Sequence, residues 1–292
     1  MLFRYSIWDS ALLLVAVSQM LFILWLAVTW NSHPLESKLL LGSTYLFLFW
    51  YNALVVTHNF VHTPWFRAKW LNRMASIVNS INLFVPALHY RYLHLNHHQY
   101  ENDRKDATGR TLDGSSTFAY GKDEQSEHVL SYCLLSLLRD DLRDTVRQAN
   151  HSRETAQLWI ELTACFVSSI AYLLISWQFF VFCLLPVFYF GWCLAYLSNY
   201  YEHYGAIPEQ RYANSASHYG RIYNWLCCNE GYHQEHHLRP NVHWSRRPQI
   251  YKQMQAELEN VDRVILTFPH PLGFLHHRGK TKTPTKQPVL QR

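Results

Sequence analysis

Three stretches without a charged residue decide what this chain can fold into. Ala11–Trp30 runs for twenty residues, Leu39–Val56 for eighteen, and Leu162–Tyr201 for forty with a break near Ser176-Trp177-Gln178. A bilayer's hydrocarbon core is ~30 Å thick and takes ~20 helical residues to cross. The runs therefore predict four spans, at about 7–30, 38–57, 156–176 and 179–200. The turns inside each pair are short, so the spans are expected as two tight hairpins. A cleaved leader is the rival reading of the first run. Only Arg4 precedes it and no small-x-small site precedes Trp30, so an uncleaved span is expected.

Averages conceal this segregation. Mean hydropathy is −0.16, a value typical of soluble chains. Charged residues nevertheless make up only 16%, against ~25% in a soluble domain. The net charge of +5 is mild. Its basic residues are scattered without an aromatic-basic repeat, which argues against nucleic acid as a partner. The six Cys form no CxxC pair, so a disulfide framework, a zinc ribbon and an iron–sulfur site are all poor fits.

Arg67, Lys69 and Arg73 follow the second run, so that side is expected to be cytoplasmic. Ala75–Leu88 is apolar but only fourteen residues long and is broken by Asn79, Asn82 and Pro86. It reads as a re-entrant or interfacial segment. Glu127–Arg147 carries leucines at helical spacing and predicts an amphipathic surface helix. Glu161, near the end of the third span, reads as a snorkelling acid. Residues 1–275 are expected to form a single domain and residues 276–292 a basic, disordered tail. The expected fold is an all-α membrane protein. It has four transmembrane helices in two hairpins, a re-entrant or interfacial segment, and a cytoplasmic His-rich cap. Both termini are expected to be cytoplasmic.

Histidines mark that cap. His58 and His62 are four apart. His94, His97 and His98 repeat the HxxHH spacing of His233, His236 and His237, and His203 follows the fourth span. Imidazoles at i, i+3 and i+4 share a helix face. Neutral nitrogen donors suit Zn, Cu, Fe or Ni. A structural zinc site takes ~four ligands, so nine imidazoles are a surplus for one ion and suit two metals with open positions. Asn229 is a weaker candidate ligand, with helix capping as its alternative role. Glu202 and Glu235 adjoin histidines and could orient them.

The pieces His58-Asn-Phe-Val-His62, His94-Leu-Asn-His97-His98 and Asn229 through Pro240 resemble the histidine boxes of the integral-membrane fatty acid desaturase/hydroxylase superfamily. Asn199-Tyr-Tyr-Glu-His-Tyr-Gly205 is similar to the NYxEHYG motif of membrane alkane monooxygenases, in which the position of His203 ligates iron. The chain departs from those enzymes in its first box. The resemblance implies two iron ions held by the nine histidines, with Asn229 near the second. It also implies O2 as co-substrate and a lipid or hydrocarbon substrate drawn from the bilayer. The implied reaction is desaturation of a fatty acyl or related chain. Hydroxylation and alkene-forming decarboxylation are alternatives for the same centre. A non-enzymatic metal-binding membrane protein is the rival outside enzymology. The chain has no fused electron carrier, so ferredoxin, rubredoxin or cytochrome b5 with its reductase is expected as donor.

Overall fold

The computed structural model describes residues 2–276, and the predicted tail from 277 onward lies outside them. The described residues are helical, with two isolated β-bridges and no strands. Four helices are long and apolar enough to cross a membrane: α1 (Asp9–Thr29), α2 (Leu35–His62), α7 (Thr155–Ile175) and α8 (Trp177–Glu202). Many of their large apolar side chains, such as Leu14, Val28, Phe166 and Leu174, point outward. That suits a hydrocarbon solvent, where the outer face of a bundle has no reason to be polar.

Two of these helices run further than the apolar runs suggested. α2 continues through His58 and His62, and α8 through Glu202. Hydropathy sees only where lipid ends, whereas the backbone ladder carries on into the cap. Within α2, Asn52–Thr57 forms a π-helical turn, and the Thr57 hydroxyl donates to Asn52 Oδ1 at 2.7 Å. An inserted residue rotates everything downstream, here the two histidines. α2 and α8 cross closely at Gly191, where a Cβ would fall 2.3 Å from the Phe49 ring.

Between the hairpins, α3 (Lys69–Leu83) enters the bundle and α4 (Ala87–Tyr100) leaves it. The turn is made by Phe84, with φ of 52°, and Pro86. The Asn82 side-chain amide donates to Ala16 O at 2.8 Å, and the Asn82 backbone carbonyl accepts from Gln19 Nε2 at 3.2 Å. The tip of the α3–α4 hairpin therefore lies seven to ten residues along α1, between the spans. Glu161 is fully buried rather than snorkelling. Its Oε2 accepts the Leu88 N–H at 2.9 Å and its Oε1 accepts the Ser76 hydroxyl at 2.6 Å. An acid that satisfies a helix start is held inside by those bonds.

The expected surface helix over 127–147 is two helices, α5 (Val129–Arg139) and α6 (Leu142–His151). Asp140 and Asp141 break it, because the Asp141 carboxylate caps the Arg143 N–H at 2.8 Å. α5 packs against α8, and α6 against α4 and α7. The segment from 203 to 276 closes over the same end of the bundle. It includes α9 (Arg221–Leu226) and α10 (His233–Leu238).

Candidate metal centre

Three separate parts of the chain deliver histidines to one buried region. The end of α2 brings His58 and His62. The outgoing helix α4 brings His94, His97 and His98. The cap brings His203, just past α8, and His233, His236 and His237 on α10. Their nitrogens form two groups, each with its ligand atoms within 4.8 Å of one another. The first is His58, His62, His94, His98 and His236; the second is His97, His203, His233 and His237.

Each HxxHH triplet is divided between the two groups. On α4 the outer pair, His94 and His98, faces the first group and His97 the second. On α10 the assignment is reversed, with His233 and His237 in the second group and His236 in the first. Residues at i and i+4 stand nearly in line on a helix, and i+3 is rotated to one side. Two helices with opposite assignments can thus wall two adjacent positions.

The ring orientations fit a cation. His97 Nδ1 lies 2.7 Å from Asp113 Oδ2, and His203 Nδ1 lies 3.0 Å from Asn214 O. Each Nδ1 then carries the proton, so each Nε2 presents a lone pair. Those two Nε2 atoms face each other at 2.9 Å. Two lone pairs at that distance repel unless a positive charge lies between them. In the first group, His58 Nε2 stands 3.0 Å from His236 Nε2, and His94 Nε2 stands 3.0 Å from His98 Nε2. Both ring nitrogens of His62 and of His237 are buried and find no hydrogen-bond partner among the described residues. Buried polar atoms rarely lack partners, and ligation would supply one.

Protonation does not resolve the crowding. Burial and the neighbouring His97 push His203 down to about 3. Burial, reinforced by surrounding imidazoles, likewise holds His94, His98, His233 and His237 well below the usual range. His236 is lowered in the same way, by burial and then by Arg247. These rings are neutral donors at neutral pH.

Behind them stand residues that motif spacing did not single out. Burial opposes ionisation of Asp113, but His97 and hydrogen bonds from His97 and Ser115 hold it down at about 2. Glu230 Oε2 lies 2.8 Å from His58 Nδ1, and its other oxygen pairs with buried Arg247 at 2.8 Å. His270 is fully buried, with Nε2 donating to Ala216 O at 3.0 Å. Of the carboxylates expected to orient histidines, Glu202 lies 3.8 Å from both His233 Nε2 and His270 Nδ1. Glu235 turns away to Tyr219 and Ser217, at 2.6 and 3.1 Å. Asn229 sits in a left-handed turn with φ of 62°, and its amide donates to Trp244 O at 3.2 Å.

The sequence matches the fatty acid desaturase family over residues 35–269. The chain belongs to the fatty acid desaturase family. A comparison with curated proteins and one with solved structures returned no match. As a member of that family it is an oxidoreductase of lipid chains, and the matched region contains every histidine of both groups.

A cavity of about 330 Å³ adjoins the desaturase-family centre. His94 and His97, one from each group, line one part of it. Phe84, Val85, Leu137, Leu162 and Trp192 give it a largely apolar wall between α4, α5, α7 and α8. Volumes of this order accommodate small apolar ligands. Asp140, His89 and Tyr196 also line it. Burial pushes the Asp140 carboxyl up to about 6, partly offset by the Tyr196 hydroxyl.

Proposed function

We propose that this chain is an O2-dependent oxidoreductase that uses two iron ions to desaturate a fatty acyl or related lipid chain. One observation carries the reading: two groups of histidines lie side by side at the head of the bundle, and a residue from each lines one apolar cavity. In the first position His58, His62, His94, His98 and His236 would hold one ion. His97, His203, His233 and His237 would hold the other.

Bound iron would supply the redox chemistry by which O2 is reduced and an unactivated C–H bond is attacked. The residues do the rest. Asp113, Asn214 and Glu230 fix the tautomers of His97, His203 and His58, keeping each Nε2 free to ligate. Phe84, Leu162 and Trp192 exclude water and hold a methylene chain against His94 and His97. In the overall reaction two neighbouring carbons each lose a hydrogen atom. With two electrons and two protons from outside, those hydrogens reduce one O2 to two waters. The electrons come from a separate soluble carrier, and the chain enters from the bilayer.

The test is a panel of lipids and alkanes, turned over by purified protein with a reductase system under 18O2. Unlabelled alkene supports desaturation; label in the organic product replaces it with hydroxylation. Metal analysis should find close to two irons per chain, and a single zinc would sink the reading.

A further inference from the structure

One part of the cavity wall is polar in a way the metal centre does not use. Asp140 sits in the joint between α5 and α6, and its Oδ2 accepts the Tyr196 hydroxyl at 2.7 Å. His89 Nε2 stands 4.0 Å from the same oxygen. The His89 ring is fixed from behind by a 2.7 Å contact between Nδ1 and Thr145 Oγ1. All three residues line the cavity beside Leu137 and Leu162. His89 precedes His97 by eight residues on α4, so this polar group stands ~12 Å along the helix axis from the metal-facing end.

The charges around it discriminate between chain ends. Among the described residues, no Lys or Arg lines the cavity. Arg139, the neighbour of Asp140, is committed to Glu127 at 2.8 Å and lies 3.8 Å over the Tyr120 ring. Arg143 is exposed and faces Asp141 at 3.9 Å. A carboxylate or phosphate entering here would meet a carboxylate with no counter-charge, which a low-dielectric site penalises. A plain hydrocarbon would take water from Asp140 and His89 and return no hydrogen bond. An ammonium could pair with Asp140, but it would shed the hydration of a full charge among apolar walls. A hydroxyl meets neither objection: it donates to the carboxylate, carries no charge and has lone pairs for a second bond.

We propose that Asp140, with Tyr196 and His89, forms a recognition site for an alcohol group, so that this protein takes long-chain alcohols in preference to free fatty acids. The proposal rests on the reading that the cavity holds the chain to be oxidised, and it names the end group of that chain. Asp140 is then a specificity residue remote from the reacting carbons.

Binding tests it without turnover. Tritiated 1-dodecanol is bound to the purified full chain in detergent and displaced by unlabelled 1-dodecanol, dodecanoate, dodecylamine or dodecane. With the wild type, 1-dodecanol should compete at concentrations at least about tenfold below the other three. Asp140→Leu should bring 1-dodecanol level with dodecane. Asp140→Asn, of nearly the same size, should narrow the gap between dodecanoate and 1-dodecanol by removing the repulsion. Should the Leu variant lose its metal and fail to fold, the Asn variant decides alone. Equal competition by dodecanoate or dodecylamine in the wild type overturns the proposal, as does an alcohol preference that survives both substitutions. If chains bind without discrimination, this site fails and the oxidoreductase reading stands. If no chain binds while the metal count stays at two, the cavity reading itself fails.

Discussion

The position of one proton on His97 governs what its ring can do. With Nδ1–H given to Asp113, Nε2 is a ligand; without that partner the ring can turn or change tautomer. Asp113→Ala should therefore weaken metal binding by about ten- to a hundredfold, read as iron retained after dialysis against a weak chelator. His98→Ala should abolish turnover while the protein still inserts; retained activity would reject the site assignment. Acid should act through the same rings. A histidine in the unfolded chain titrates near ~6.5, whereas buried His203 titrates at about 3. Between those values the unfolded state binds protons that the folded state refuses, so stability falls as pH falls. Asp113, held at about 2 against an ordinary 3.8, adds a further loss as pH drops below about 4. The unfolding midpoint of metal-free protein should drop between pH 7 and pH 5, and a flat midpoint would contradict the burial argument. At this scale eight of the nine histidines were legible because a helix repeats every 3.6 residues and their spacings match it; the lone His203 was legible only through the motif that its neighbours resemble. Asp113 and Glu230 were not, because a carboxylate that orients a ring is chosen by three-dimensional proximity. His97 and Asp113 are sixteen residues apart, and His58 and Glu230 are 172 apart.

At the scale of the helix, α4 carries three of the nine histidines, and its start is fixed from inside the bundle. Glu161 accepts from Leu88 N and Ser76 Oγ at zero exposure. Glu161→Ala would leave both donors buried and unpaired, at about 1–3 kcal/mol each. Beyond lowering the unfolding midpoint, it should loosen metal binding ~14 Å along the helix, since α4 transmits the shift rigidly; unchanged iron content would show that the bundle compensates. Gly191→Ala makes a separate test of the α2–α8 crossing. Overpacking against Phe49 should cost about 1–3 kcal/mol, and pairing it with Phe49→Leu should recover part of the loss. The spans were readable from composition, because lipid imposes a length and a polarity on any helix that crosses it. The continuation of α2 into His58 and His62 was readable from their i, i+4 spacing, whereas the end of α8 at Glu202 was not, since that helix leaves the apolar region without interrupting its hydrogen bonds. The split of 127–147 into α5 and α6 hid behind a leucine pattern that stays in phase on both sides of Asp140-Asp141. Glu161 was misread because an acid at a span's end looks the same whether it faces lipid headgroups or a helix terminus.

Across the whole molecule, the end of the bundle that bears the histidines also gathers the chain's beginning: Asp9 Oδ1 lies 2.9 Å from His243 Nε2, and Arg4 N donates to Trp65 O at 2.7 Å. Among the described residues, the opposite end holds the two short turns, where Asn31 and Gln178 meet at 3.5 Å. Reporter domains fused at the N-terminus and inserted near Asp123 should therefore report the same side of the membrane, and opposite results would break the four-span arrangement. The order of spans and the convergence of the boxes could be anticipated from the sequence, since histidines on opposite faces of a bilayer could not share a site. The cavity could not, because its wall is drawn from α4, α5, α6, α7 and α8 and exists only once they pack.

If both histidine groups hold an ion, the divided triplets would couple the two positions mechanically. α4 and α10 each present ligands to both, so neither helix can settle into its final rotation for one ion while remaining free for the other. Whichever ion arrives first removes the rotational freedom that the second would otherwise have to remove, and the second binds a site already in register. Loading should then be cooperative. At half the saturating amount of iron, native mass spectra should contain mostly chains with no ion and chains with two. A population dominated by singly loaded chains would mean that the helices turn independently.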